Sequence, residues 1–144
     1  MKTLITAVVT LLVMATAAPA QPASNLKGTW SGKFRTVIVG SNPHHPGGAA
    51  DAPRVREITF TFDIEGQDGR LLWGKSWSNP ERKESFVATI SSDGRTIIGA
   101  DTDGALTMRT AGRGRMELCY THPATGPSQS MVASCGMMQR AATR

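Results

Sequence analysis

Apolar and polar side chains alternate along most of this chain. The clearest example is the predicted strand 54–65, where every second residue from 58 to 64 is apolar and the residues between them are Thr or Asp. A repeat of two residues is typical of a β-strand with one buried face and one face in water. No long stretch shows the 3.6-residue repeat of an amphipathic helix, so the pattern predicts an all-β protein.

Gly and Asp residues interrupt the alternation at short intervals and divide it into eight predicted strands. The predicted strands are residues 28–39, 54–65, 71–78, 84–91, 96–101, 105–110, 115–122 and 130–140. Pairs such as Asp93-Gly94 favour tight hairpins. Sequential hairpins predict an up-and-down antiparallel barrel, whose closure removes exposed edge strands. A two-sheet β-sandwich is the alternative, because alternation does not show whether the first strand meets the eighth.

The N-terminus resembles a bacterial secretion signal. Lys2 precedes an uncharged apolar stretch over 4–17, and Ala18 and Ala20 are small residues suited to cleavage before Gln21. We therefore expect a signal peptide over 1–20, a short segment over 21–27, one barrel domain over 28–140 and a tail over 141–144. This predicts a periplasmic or secreted protein with no integral membrane segment after cleavage.

The charge pattern argues against a nucleic-acid partner. The chain has a net charge of +5, and its acidic and basic residues are interspersed. Nucleic-acid binders tend to gather Lys and Arg on one face. The main basic cluster is Arg109, Arg113 and Arg115, which we interpret as a solvated hairpin rim, with an anion-binding patch as the alternative.

The two cysteines predict a disulfide bond. Cys119 and Cys135 fall on the last two predicted strands, and the residues between them include Pro123, Gly126 and Pro127. Two strands joined by such a loop can bring the thiols opposite each other, and disulfides are common in exported proteins. The close C-x-x-C spacing of redox sites is missing, so a structural bond is the preferred interpretation.

The aromatic residues lead to two interpretations. Phe60 and Phe62 share the apolar face of the second predicted strand, and Trp73 and Trp77 share one face of the third. These rings either fill the barrel or line a ligand cavity. In the second case Trp77 and Tyr120 lie at the mouth of the cavity, and Trp73 is packed more deeply than Trp77.

His44 and His45 are candidate metal ligands. They lie in a Gly- and Pro-rich loop over 40–53, and a further ligand would come from Asp51 or His122. Adjacent histidines on an extended segment point in different directions, however. An exposed loop without a metal is therefore the preferred interpretation.

Catalytic signatures are missing from the sequence. It contains no Gly-x-Ser-x-Gly elbow, no His-Glu-x-x-His motif and no glycine-rich phosphate loop. Asp101 and Asp103 are interpreted as turn residues, because Gly112 stands where a calcium-binding EF-hand loop ends in Glu. We expect a protein that is not an enzyme and has no cofactor.

The first predicted strand resembles that of the calycin barrels, which include the lipocalins and the avidin-like proteins. The resemblance rests on Gly28-Thr29-Trp30, a Gly-x-Trp motif just after the predicted signal peptide. It implies that Trp30 closes one end of the barrel and that a basic residue, here Arg140, packs across its ring. The lipocalin Thr-Asp-Tyr motif is missing, so the resemblance implies a barrel and carries over no binding residue.

Two functions follow as hypotheses. The first is an exported barrel that binds a small apolar or amphipathic molecule in its lumen. The second is a protein-interaction module, such as a protease inhibitor or an envelope-associated protein, acting through the loop that begins at Gly40 and ends at Pro53. The volume of the lumen distinguishes them, because ligand sites usually enclose about 300–1,000 Å³.

Overall fold

The structure is a computed structural model that describes residues 23–41, 44–49, 51–123 and 130–142. The predicted signal peptide over 1–20 lies outside these residues. The described part of the chain contains no helix long and apolar enough to cross a membrane.

Eight antiparallel strands form a closed barrel in which each strand pairs with its sequence neighbours and the first pairs with the eighth. The strands are β1 Gly28–Val39, β2 Arg54–Asp68, β3 Leu71–Trp77, β4 Glu84–Ile90, β5 Thr96–Ala100, β6 Ala105–Thr110, β7 Arg115–His122 and β8 Met131–Arg140. The predicted up-and-down barrel is confirmed, and the sandwich alternative is wrong. β2 runs further than predicted, because a shift in register between Ile64 and Gly66 lets it continue pairing with β3.

Large apolar side chains fill the interior. Phe34 and Phe60 meet edge to face with ring centroids 5.4 Å apart, and Phe62 and Phe86 do so at 5.3 Å. The ring of Phe34 also lies over Gly136, where a Cβ atom would come within 2.6 Å of it. An eight-stranded barrel has an interior just wide enough for its own side chains, and this core uses that space for packing.

The up-and-down order divides the connections between the two ends of the barrel. One end carries the connections 69–70, 91–95 and 111–114 together with both ends of the barrel domain, and we call it the plugged end. The other carries the connections 78–83 and 101–104 and the described parts of the connections 40–53 and 123–130, and we call it the loop end.

Trp30 closes the plugged end. Its side chain is only 2% exposed, and its Nε1 donates a hydrogen bond of 2.9 Å to the Leu26 carbonyl. The guanidinium of Arg140 lies 5.5 Å from the centre of the indole and donates to the carbonyls of Lys27 and Asn25. The expected contact between Trp30 and Arg140 is confirmed, and a cation over an indole is favourable.

The predicted disulfide bond is also confirmed. Cys119 of β7 and Cys135 of β8 are direct partners in the sheet, with Cα atoms 4.1 Å apart, and their sulfur atoms are bonded. The alternation of both strands places the bond on the outer surface of the barrel. It therefore ties two neighbouring strands together without occupying the core.

Candidate metal centre

The loop end holds a small cavity of about 20 Å³. Its lining combines apolar rings with polar groups, among them Phe60, Tyr120, His44, Glu84, Asp103 and Ser76. One water molecule needs roughly 10–15 Å³, so this space suits one water or a ligand of very few atoms. Sites for larger organic ligands usually enclose about 300–1,000 Å³.

The described part of the 40–53 loop reaches this cavity through His44 and His45. Its two arms are joined by a hydrogen bond of 3.0 Å from the Gly40 amide to the Ala49 carbonyl. Arg54, at the start of β2, donates a hydrogen bond of 2.7 Å to the His45 carbonyl. These contacts bring His44 and His45 to the cavity, where both are half-buried, so the expectation that the two side chains lie on an exposed loop is wrong.

His44 meets two carboxylates at the cavity. Its Nε2 lies 3.4 Å from Glu84 Oε1 and 3.8 Å from Asp103 Oδ2, and the three ligand atoms lie within 4.8 Å of one another. Metal–ligand bonds of about 2.0–2.2 Å place two ligands of a tetrahedral ion about 3.4 Å apart. The two distances from His44 Nε2 are therefore close to those between ligands of one metal ion.

The strand register and a short turn position the two carboxylates. Glu84 is the first residue of β4 and the direct partner of Ser76 in β3, so both side chains lie on the inner face. Asp101 organises the turn that carries Asp103. Its Oδ1 accepts hydrogen bonds from the Gly104 amide at 2.8 Å and from the Tyr120 hydroxyl at 3.1 Å.

A neighbouring hydroxyl supports one of the two carboxylates. Thr102 Oγ1 donates a hydrogen bond of 2.7 Å to Glu84 Oε1, as the outer partners of metal ligands commonly do. Burial raises the pKa of Glu84, and the nearby charges of Asp101 and Asp103 raise it further, although the Thr102 hydrogen bond opposes them. The site thus concentrates negative charge that a bound cation would neutralise.

His45 and His122 line the same cavity but lie outside the cluster of His44, Glu84 and Asp103. Burial, followed by the charges of His44 and Arg54, lowers the pKa of His45 to about 4. The rings of His44 and His45 are 6.5 Å apart and tilted by 58°, so the two imidazoles diverge as expected. Neither His122 nor the exposed Asp51 joins His44 as the sequence suggested.

Ser76 supplies a buried hydroxyl at the same cavity. The residue is 3% exposed, and its Oγ has no hydrogen-bond partner among the described residues. Elsewhere in the core the hydroxyls of Thr36 and Ser134 are 2.7 Å apart and hydrogen-bond each other. Ser76 is therefore unlike other hydroxyls of this core.

The aromatic residues singled out from the sequence lie in four environments, three of which hold Phe60, Tyr120, Phe62 and Trp77. Phe60 and Tyr120 border the cavity with ring centroids 5.6 Å apart, while Phe62 lies deeper in the core. Trp77 lies at the rim, where Lys83 Nζ is 4.4 Å from the centre of its ring. Burial raises the pKa of Tyr120, so its hydroxyl stays protonated and able to donate to Asp101.

The expectation that Trp73 is deeply packed is wrong. Its side chain is 45% exposed and lies outside the barrel against Gly66, where the bulge of β2 leaves room for the indole. The inner positions of β3 face Phe62 and Phe86 on the neighbouring strands and hold the small Gly74 and Ser76. Indoles on that face would overfill the barrel.

Comparisons with known proteins found no matching family model, no matching curated protein and no matching solved structure. The likeness to the calycins therefore rests only on the sequence motif and the structure of this chain. What the structure shows is an eight-stranded closed antiparallel barrel, which is compatible with a calycin-like fold, and a plug formed by Trp30 and Arg140.

Proposed function

We propose that this protein is an exported barrel that binds one divalent transition-metal ion at its loop end through His44, Glu84 and Asp103. The observation that carries the proposal is the convergence of these three side chains, from a loop, a strand and a turn, on one point beside a water-sized cavity. The disulfide bond supports export, since such bonds persist in oxidising compartments.

The set of ligands indicates the class of metal. Imidazole nitrogen suits zinc, copper, nickel and iron, whereas calcium and magnesium prefer shells of oxygen ligands. One imidazole with two carboxylates therefore favours a first-row transition metal. Zinc is the appropriate first probe because it accepts both nitrogen and oxygen ligands.

The size of the cavity makes a lumenal apolar ligand the weaker proposal. A fatty acid or a retinoid needs several hundred Å³, and the cavity at the loop end is about 20 Å³. To admit such a ligand, Phe60 and Tyr120 would have to leave their positions beside the cavity.

An ion pair without a metal is the alternative explanation of the same cluster. A protonated His44 would be attracted to both carboxylates. Its Nε2 lies 3.4 and 3.8 Å from their oxygens, however, beyond the usual 2.7–3.2 Å of a hydrogen bond. The proposal of a shared cation instead fits these distances, because two ligands of one tetrahedral ion lie about 3.4 Å apart.

Zinc titration tests the proposal. Protein freed of metal with a chelator is titrated with zinc by calorimetry, and wild type is expected to bind one ion per chain. His44→Gln and Asp103→Asn should each weaken binding by at least about tenfold, the lower bound for losing even an outer partner of a metal ligand.

Two variants serve as matched controls. His45→Gln removes the adjacent imidazole, and Asp51→Asn removes the acidic residue of the same loop that lies outside the cluster. Both should leave zinc affinity unchanged. Equal zinc affinity in wild type and His44→Gln would reject the metal site and leave the ion pair as the explanation. Export is checked separately by N-terminal sequencing, which should begin at Gln21.

A further inference from the structure

The inference concerns Ser76 and the space beside the proposed metal ligands. Ser76 and Glu84 are direct partners on adjacent strands, and both side chains line the cavity at the loop end. Ser76 is buried, and its Oγ lacks a hydrogen-bond partner among the described residues. A buried hydroxyl is nearly always hydrogen-bonded to protein or to ordered water, so this one requires a partner.

The volume limits what that partner can be. A cavity of about 20 Å³ suits one water or an ion of two or three atoms. Phe60 and Val132 form apolar parts of its wall and restrict the access of larger groups.

The same cavity can also hold a ligand of the proposed metal ion. Zinc sites with three protein ligands take water or an exogenous ligand at the fourth position, whereas structural sites close the shell with a fourth protein ligand. Here three side chains of the described residues converge, and Ser76, the strand partner of Glu84, lines the same cavity.

We infer that the metal centre has one exchangeable position, taken by water or a small monodentate anion that accepts a hydrogen bond from Ser76 Oγ. This inference rests on the proposed metal-binding function and adds the class of external ligand. Exchange is a substitution in which the anion replaces the water, and no electron is transferred.

Cobalt and azide are the probes of the test. Cobalt(II) reports its coordination through its visible absorption bands, and azide is a linear anion of three atoms. The cobalt-loaded protein is titrated with azide at constant pH. The bands of wild type should shift with a single saturable dissociation constant.

Ser76→Ala removes the proposed hydrogen bond. It should raise the azide dissociation constant by about tenfold or more, as expected for a hydrogen bond to a charged group, and the variant should still bind cobalt. Ser76→Thr, which keeps the hydroxyl, should retain azide binding. Ser85→Ala is the matched control, because Ser85 lies next to Glu84 on the outer face, where its Oγ accepts a hydrogen bond of 2.9 Å from Lys75.

The outcomes separate this inference from the proposed function. Cobalt binding without an azide response in wild type overturns the exchangeable position and leaves the metal site standing. Failure to bind cobalt overturns both. Equal azide affinity in wild type and Ser76→Ala overturns the role of the hydroxyl alone. The response of wild type needs no variant, so it decides the central claim even where a substitution impairs folding.

Discussion

The two ends of the barrel are built from the same eight strands in opposite ways. At the plugged end, short turns surround Trp30, whose indole is covered by Arg140 and hydrogen-bonded to Leu26. At the loop end, a long loop brings His44 to Glu84 and Asp103, and burial raises the pKa of Glu84. One end satisfies its polar groups within the protein, while the other concentrates like charges around a water-sized cavity.

Because of this difference, we expect the plugged end to contribute mainly to stability and the loop end mainly to binding. Groups whose polar atoms are already paired contribute to folding, and their removal leaves a hole or an unsatisfied partner. Clustered carboxylates cost folding energy until something neutralises them. Substitutions at the plugged end should therefore destabilise the protein, whereas substitutions at the loop end should mainly change what it binds.

The largest expected effect is at the plugged end. Trp30→Ala removes a fully buried indole and should lower the free energy of unfolding by about 3–5 kcal/mol, as for other large core aromatics. Trp73→Ala removes the same side chain from the outer surface and should cost less than about 1 kcal/mol. Urea denaturation of both variants measures the difference. Similar losses for the two would mean that Trp30 does not plug the barrel.

The disulfide bond gives the next largest effect. Reduction of the bond between Cys119 and Cys135, which are 16 residues apart, should lower the free energy of unfolding by about 3 kcal/mol, chiefly by freeing the unfolded chain. The barrel should stay folded at room temperature, because the bond lies outside the core. Near-ultraviolet circular dichroism and thermal melts with and without reductant measure this. Stoichiometric labelling of thiols in the unreduced, denatured protein would contradict the bond.

The elements of this fold could be predicted from the sequence because their signals are local. Alternation and turn residues identify β1, β6 and β7 to the residue, and the Gly28-x-Trp30 motif identifies the plug. Where the inner and outer faces of a strand both carry apolar residues, that signal becomes ambiguous. In β3 the large Trp73 suggested the inner face, but Leu72 and the volume of the neighbouring rings decide the orientation.

The candidate site depends on long-range information. His44 and His45 stood out as residue types, yet the partners of His44, which are Glu84 and Asp103, lie far along the chain and meet it only when the barrel closes. The register between β3 and β4 and the fold of the 40–53 loop determine this meeting, and neither is visible in the sequence pattern. Glu84 lies two residues before the inward-facing Phe86 on the same strand. This spacing was the one local sign that the Glu84 carboxylate faces the interior.

The smallest expected effect is an unchanged or slightly raised free energy of unfolding instead of a loss. It tests the comparison of the two ends most directly. Burial raises the pKa of Glu84, so at neutral pH its ionised form is less favourable in the folded protein than in the unfolded chain. Glu84→Gln keeps the shape and an oxygen that accepts from Thr102, and it removes the charge. In metal-free protein it should therefore leave stability unchanged or raise it by up to about 1 kcal/mol.

Zinc should make wild type the more stable of the two proteins. An ion that binds only the folded state stabilises wild type by RT ln(1 + [Zn]/Kd), and it stabilises the variant less because the variant binds zinc more weakly. Urea denaturation of wild type and Glu84→Gln, each with chelator and with excess zinc, measures this reversal in the order of stability. A large loss of stability in Glu84→Gln without metal would show that the loop end, like the plugged end, is held together by its own polar contacts.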